Sequence, residues 1–344
     1  MDLITLEAAG LYCAPGDFYV DPWRPVERAV ITHAHGDHAS YGHRHYLVSR
    51  PGEHVTRRRV GSEASIETLP YGEPVMINGV RVSLHPAGHV LGSAQVRLEY
   101  GGEVWVVSGD YKLNPDPTCA PFEPIACDTF ITESTFGLPI YRWRDPLDVF
   151  ADMNRWWSEN ATAGRASVVY AYALGKAQRL IANVDPSIGP IYTHGAVEVL
   201  NEAYRASGVP LPPTGRVSDM PRGHDFSGAL IVAPPSAQST PWLRRFGDYA
   251  DAFASGWMQI RGVRRRRAVD RGFALSDHAD WPSLLQAVSA TGAQRVFVTH
   301  GYSEPLVRWL CERGMDARTL VTRFTGEEGS AENEPHTEET AAAQ

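Results

Sequence analysis

The sequence predicts an α/β protein in which the two ends of the chain build one domain and a second α/β unit is inserted between them. Three observations carry this. The first third reads as short apolar β segments joined by turns, strands and helices alternate after Gly137, and near Phe273 a polar cluster opens a closing helix–strand–helix–strand run. At 344 residues the chain is also too long for one compact core of ordinary size. The expected division is 1–137 with 273–325 for the outer domain and 138–272 for the insertion. The Glu/Ala/Thr-rich segment 326–344 is expected to be a disordered tail.

Each element has a local reason. Ala29-Val30-Ile31-Thr32 is a buried strand running into a histidine cluster. Val80 to Leu84 alternates apolar and polar residues and stops at Pro86. Residues 95–100 and 103–108 flank Gly101-Gly102 as a β-hairpin, and Thr129 to Thr132 is a further strand. In the insertion, Pro146 to Asn160 is read as a helix, Val168 to Ala171 as a strand, Lys176 to Asn183 as a helix and Ile231 to Ala233 as a strand ending at Pro234-Pro235. That alternation suggests parallel strands. The last part is read as a helix (282–290), a strand (295–299), a helix (305–313) and a final strand.

Apolar content of 43% and charged content of 21% are those of a soluble globular protein, and no apolar run is long enough to span a bilayer. Cys13, Cys119, Cys127 and Cys311 are scattered, which suggests reduced thiols and a cytoplasmic location. A net charge of −8 looks wrong for a nucleic-acid binder. Six glutamates, however, lie after Arg323 with no Lys or Arg among them, so the body carries only −2. Polyanionic ligands are therefore not excluded.

His33, His35, Asp37 and His38 fall within six residues, directly after an apolar strand. Alternate residues of an extended segment point the same way, so His33 and His35 can serve one ion while the following turn aims Asp37 and His38 at a second. Imidazole with carboxylate suits zinc, manganese or iron. His89 in PAGH, Asp110 in SGD and His300 in VTHG occupy similar strand-end positions beside glycine. These seven ligands fit two divalent ions, zinc by default and manganese as a rival, with Asp110 as the natural bridge. Two ions about 3.5–4 Å apart clamp a phosphodiester and generate hydroxide near neutral pH.

The chain resembles the β-CASP nucleases of the metallo-β-lactamase superfamily. HxHxDH at 33–38, His89, Asp110 in SGDYK, Glu133 in ITESTFG, His278 in LSDHAD and His300 in VTHG occur in that family's order. Within the family it is most similar to the bacterial DNA ligase-associated exonucleases, on GLYCAPGDFYVDPWRPVERAVITHAHGDHA, YALGKAQRL (172–180) and GWMQIRGVRRRR. The resemblance implies an αββα sandwich with an inserted α/β β-CASP domain. It implies that His33, His35 and His89 hold one metal and Asp37, His38 and His300 the other, bridged by Asp110. Asp21 would orient a ligating histidine. His278 would protonate the leaving 3′ oxygen, with Glu133 fixing its tautomer. A histidine at position 300 is the RNA-processing type, whereas the likeness along the whole chain is to the DNA enzymes. The whole-chain likeness sets the expectation: a DNA exonuclease of repair, attacking with a metal-bridging hydroxide, and associated functionally with a DNA ligase and a helicase. An RNA-processing exo- or endonuclease is the alternative.

Other residues are weaker candidates. Lys112 and Ser134 can reach a phosphate, and Lys176 opens a helix whose free N–H groups favour an anion. Arg264 and Arg265, in the run Arg264 to Arg267, can grip a nucleic-acid backbone, and Arg57-Arg58-Arg59 is fainter evidence of the same kind. A small-molecule hydrolase would not need the insertion, and an inactive scaffold would not need the full ligand set.

Overall fold

The computed structural model describes residues 2–266 and 269–323; the tail expected to be disordered lies outside the described residues. These residues divide into two compact units, 2–142 with 278–323, and 143–277.

In the first unit, β1 (Ile4–Glu7), β2 (Gly10–Cys13), β3 (Phe18–Val20), β4 (Arg28–Val30), β5 (His45–Ser49) and β6 (Ile66–Leu69) form a six-stranded sheet in that order, with α1 (Glu53–Val60) between β5 and β6. Sequence patterning marks only β4 here, because strands of three to five residues carry too few alternations to register. β7 (Pro74–Ile77), β8 (Val80–Pro86), β9 (Ala94–Tyr100), β10 (Glu103–Val107) and β11 (Thr129–Ser134) belong to the second sheet. β9 and β10 pair antiparallel with Tyr100 opposite Glu103, so Gly101-Gly102 is the hairpin turn.

The second unit contains α2 (Pro146–Thr162), β12 (Ala166–Tyr170), α3 (Lys176–Asn183), β13 (Ile191–Thr193), α4 (Gly195–Ala206), β14 (Gly215–Arg216), β15 (Leu230–Ala233), β16 (Tyr249–Ala254), α5 (Arg261–Arg266) and β17 (Arg271–Phe273). Its sheet is wholly parallel, in the order β14-β13-β15-β12-β16-β17. Parallel strands are covered on both faces. Val169, Leu230 and Val232 pack on Phe150, Trp157, Leu180 and Val197, while Val168, Tyr170 and Ile231 pack on Phe226, Phe246 and Met258. Asp145 caps α2 by accepting from the Leu147 amide at 2.9 Å, with Pro146 in the first turn.

The chain then returns to the first unit as α6 (Trp281–Thr291), β18 (Arg295–Gly301), α7 (Ser303–Cys311) and β19 (Asp316–Thr319). These complete a seven-stranded sheet, β19-β18-β11-β10-β9-β8-β7. The period-2 alternation along β10 explains the layering. Trp105 and Val107 enter the core shared with Leu11, Val20 and Val30 of the first sheet, while Val106 enters the core under Leu284, Val288 and Leu306 of α6 and α7. On the outer face of the first sheet, Ala29, Tyr46 and Val48 pack with Val60 of α1. The first unit is thus an αββα sandwich. No helix of the described residues is long and apolar enough to cross a membrane.

Candidate metal centre

Strand direction gathers the site. β8 and β10 both run antiparallel to β9, and β10, β11 and β18 are parallel, so their C-terminal ends share one edge of the second sheet. His89 follows β8, Asp110 follows β10, and Glu133 and His300 sit at the ends of β11 and β18. From the first sheet come Asp21, just after β3, and the loop after β4 that carries His33 to His38.

His33 Nε2 and His89 Nε2 lie 3.1 and 3.0 Å from His35 Nδ1. Asp110 Oδ2 is 3.5 Å from His33 Nε2 and 3.8 Å from His89 Nε2. These four donor atoms all lie within 4.8 Å of one another. An ion about 2.0–2.1 Å from each imidazole nitrogen needs ligand separations of about 3.3 Å in a tetrahedron. The three nitrogens are therefore set almost at coordination distance for one ion, and the donor set fits zinc or manganese. His38 and His300 also approach Asp110, and Asp37 lies beside His38. His38 Nε2 is 3.5 Å from Asp110 Oδ2 and 3.8 Å from Asp37 Oδ2, and His300 Nε2 is 3.1 Å from Asp110 Oδ1. Asp110 thus stands between the two sets. His35, Asp37 and His300 are half-buried while His33, His38, His89 and Asp110 are buried, so the cluster has one accessible side.

Two glycines make the approach possible. Gly109 (φ +56°) and Gly301 (φ +77°) flank Asp110 and His300 in the left-handed region. A Cβ at Gly109 would meet Thr32 at 2.6 Å, and one at Gly301 the Ser134 backbone at 2.3 Å.

The supporting contacts lie beneath. Asp21 Oδ1 accepts from the Thr32 amide at 2.7 Å, and Asp21 Oδ2 lies 2.7 Å from His38 Nδ1. Thr32 Oγ1 lies 3.1 Å from His33 Nδ1. Arg59 of α1 donates to the carbonyls of Gly36 at 3.2 Å and Ala39 at 3.3 Å, clasping the histidine loop. The sequence marks neither Thr32 nor the structural role of Arg59. Nothing local marks Thr32, and Arg59 lies among basic residues that read as a polyanion patch.

Burial raises the Asp110 carboxyl, but facing His38, His278 and His300 outweigh it and hold it well below the usual carboxylate range. Burial likewise disfavours charge on His38, yet Asp110, Asp37 and Asp21 prevail and raise it to about 10. His33 is pushed well below its ordinary value by burial and by the neighbouring His38.

Glu133 and His278 form a buried pair. His278 Nδ1 lies 2.9 and 3.1 Å from the Glu133 carboxylate oxygens, and Glu133 Oε1 also accepts from the Tyr111 amide at 2.8 Å. His278 Nδ1 is 3.9 Å from Asp110 Oδ2, so the pair abuts the cluster. Asp110, Glu133 and His278 are themselves close enough to hold an ion.

Three of the phosphate candidates are otherwise engaged. Lys112 is buried, its Nζ 2.7 Å from Asp116 Oδ2, and it fastens the loop after Asp110 instead of facing solvent. Ser134 is buried, donating to the Thr299 carbonyl at 2.8 Å and touching the His300 carbonyl, so it ties β11 to the end of β18. Lys176 is buried in the second unit, 3.4 Å from Asp277 and 4.9 Å from the Tyr172 ring centre, while Arg179 pairs with the same Asp277 at 3.0 Å. A free ammonium cannot be kept in an apolar interior, so folding turned each lysine toward a carboxylate. Arg265 is exposed on α5; the side chain of Arg264 lies outside the described features, as does Arg267.

No family model matches the chain. Among curated proteins it is 32% identical over 312 residues to the "Probable DNA ligase" of Opitutus terrae, an alignment covering 90% of this chain and 30% of that protein. It is 33% identical over 129 residues to cleavage and polyadenylation specificity factor 73 of Drosophila melanogaster, covering 36% of this chain and 18% of that protein. It is 30% identical over 128 residues to endoribonuclease YSH1 of Saccharomyces cerevisiae, covering 37% and 16%. The chain spans less than a third of the length of these relatives. Among solved structures, a protein of unknown function from Enterococcus faecalis V583 shares the fold with a TM-score of 0.57 at 13% identity, over 86% of this chain and 80% of that one. With an αββα unit carrying the HxHxDH cluster and an inserted parallel α/β unit, the chain has a mixed α/β fold of the metallo-β-lactamase β-CASP type, in line with these homologues.

Proposed function

We propose that the chain is a metal-dependent phosphodiesterase, a DNA exonuclease of repair. The observation that carries the reading is the buried Glu133–His278 pair set against Asp110, beside a ready-made His33/His35/His89/Asp110 donor set. A hydrolase needing only metal-activated water has no use for such a pair. A phosphodiesterase does, because its alkoxide leaving group must receive a proton. His33, His35 and His89 would hold one divalent ion and Asp37, His38 and His300 the other, and such ions would supply Lewis acidity and a lowered water pKa. The protein's own residues do the rest. Asp110, held well below the usual carboxylate range by the facing histidines, stands between the two ligand sets, and Asp21 fixes the His38 ring. Glu133 accepts from Nδ1 of His278 and stabilises its charged form, leaving Nε2 to protonate the 3′ oxygen. The inserted unit is the β-CASP domain of this reading. The long alignment with part of a protein named a DNA ligase supports a DNA substrate and association with a ligase; a helicase partner rests on the family resemblance.

The second reading, an RNA-processing nuclease, is favoured by the similarity to an endoribonuclease and to a cleavage and polyadenylation factor. End-labelled single-stranded DNA and RNA of matched sequence, digested side by side with zinc, manganese and magnesium, separate the two. Faster, end-directed loss of DNA is expected. Full activity in Asp37→Ala or Asp110→Ala would sink the metal-centre assignment.

A further inference from the structure

The second unit holds a cavity of about 660 Å³, within the ordinary range for ligand sites. Val149, Met258 and Phe273 contribute apolar walls, and Arg144, Arg261, Arg265 and Arg271 stand around it. Arg144 is paired with Asp152 at 2.9 Å. Among the described residues no carboxylate pairs with Arg261, Arg265 or Arg271, although Asp152 and Asp270 also line the cavity. The Asp270 carboxylate accepts from the Asp251 amide at 3.2 Å, and with Asp152 it leaves four guanidiniums facing two carboxylates in the lining, a net +2. Arg261 and Arg265 are exposed and Arg271 is half-buried, its guanidinium 5.4 Å from the Phe273 ring centre. The imbalance is regional. Residues 143–277 carry 16 basic and 13 acidic side chains, a net +3, whereas the rest of the chain carries −11.

Three guanidiniums without a carboxylate partner among the described residues, around one partly apolar cavity, repel one another and favour an anion. Guanidinium forks match phosphate oxygens in pairs, and the apolar wall suits the face of a base. We infer that this groove, with Arg261, Arg265 and Arg271, is a binding site for the phosphate backbone of single-stranded nucleic acid. The identity of the ligand rests on the nuclease reading; the cationic site itself does not.

The test is anisotropy of labelled 20-nucleotide DNA and RNA strands with the full chain in EDTA, where nothing is cut, across a range of NaCl. Arg261→Glu, Arg265→Glu and Arg271→Glu are made singly and together. Arg222→Glu, on an exposed arginine of the same unit, matches the charge change of each single variant. Each lost contact should flatten the slope of log affinity against log salt by about 0.7, and the triple variant by about 2. Each single groove variant should weaken binding several-fold, and Arg222→Glu much less. The singles decide if the triple variant does not fold. Equal losses from Arg222→Glu and the groove variants would overturn the proposal, as would a folded triple variant with unchanged affinity and slope. Competition by polyglutamate as effective as by the oligonucleotide, at equal charge, would assign the groove to acidic peptide instead. Because binding is read without ions, a chain that binds here but cuts no nucleic acid in any metal refutes the nuclease reading alone. One that cuts but ignores every groove variant refutes this inference alone.

Discussion

Replacing Asp21 with Asn probes the metal centre one layer below its ligands. The swap is isosteric, and Asn tolerates the backbone at φ +45° as well as Asp does. The amide oxygen can still accept from the Thr32 amide, now 2.7 Å from Asp21 Oδ1. The amide nitrogen takes the place of Oδ2, which lies 2.7 Å from His38 Nδ1. It can only donate there. His38 must then accept at Nδ1 and carry its proton on Nε2, the atom facing Asp110 and Asp37. That proton blocks the lone pair a metal needs. Loss of such a supporting partner costs about 10–100-fold in metal affinity, which is roughly 1.4–2.7 kcal/mol. A pH signature goes with it. Despite burial, three carboxylates hold His38 at about 10, so in the metal-free protein it is charged at neutral pH and must shed a proton to bind an ion. Affinity at this position should therefore rise with pH, up to tenfold per unit below about 10. Removing one of the three carboxylates lowers the His38 pKa and weakens that dependence. Calorimetric titration of zinc or manganese into chelator-stripped protein at several pH values reads both effects. Two sites filled with wild-type affinity and wild-type proton release in Asp21→Asn would refute the reasoning.

Glu133→Gln and His278→Asn should each slow cleavage by about 10²–10⁴-fold while leaving metal content intact; a parallel loss of bound metal would instead make them ligands. Lys112→Met strands Asp116 in the interior, where both groups are now buried at 2.7 Å, and should cost about 3–5 kcal/mol in urea unfolding. A loss below about 1 kcal/mol would mean that the pair is not desolvated. His43, which accepts from the Val26 amide at 3.3 Å, is depressed by burial to about 4. The unfolded chain takes up that proton near pH 6.5, so this contribution to stability is full above about 6.5 and is lost as pH falls toward 4. Melting curves of His43→Gln should fall less steeply than wild type over that interval. Adding zinc or manganese at 100 times its dissociation constant should stabilise the chelator-stripped protein by about 2.7 kcal/mol; no shift in melting temperature would argue against a native ion site.

Much of the site could be read from the sequence because its ligands sit at strand ends, where a local pattern has one structural meaning. An apolar β segment closing on His, Asp and Gly announces a side chain at a sheet rim, and His33, His35, His89 and Asp110 do converge there. The hairpin about Gly101-Gly102 and the parallel insertion follow equally from short-range periodicity. Other features depend on distant chain. Strands β1 to β3 are four, four and three residues long and gain their sense only from neighbours in the sheet. Lys112, Ser134 and Lys176 look like phosphate contacts in a linear reading, because a lysine or serine near a ligand is solvated by default and a lysine that opens a helix sits by free N–H groups. Only the tertiary structure decided that each is buried, and burial forces a polar group onto whichever partner the fold supplies: Asp116, the Thr299 carbonyl, Asp277. Arg59 shows the same in reverse, a basic residue within a charged run that the packing of α1 turns into a clasp on the histidine loop. What the sequence determined by itself was which side chains the strand ends present; what only the tertiary structure decided was which of the remaining charges face water and which must find a partner inside.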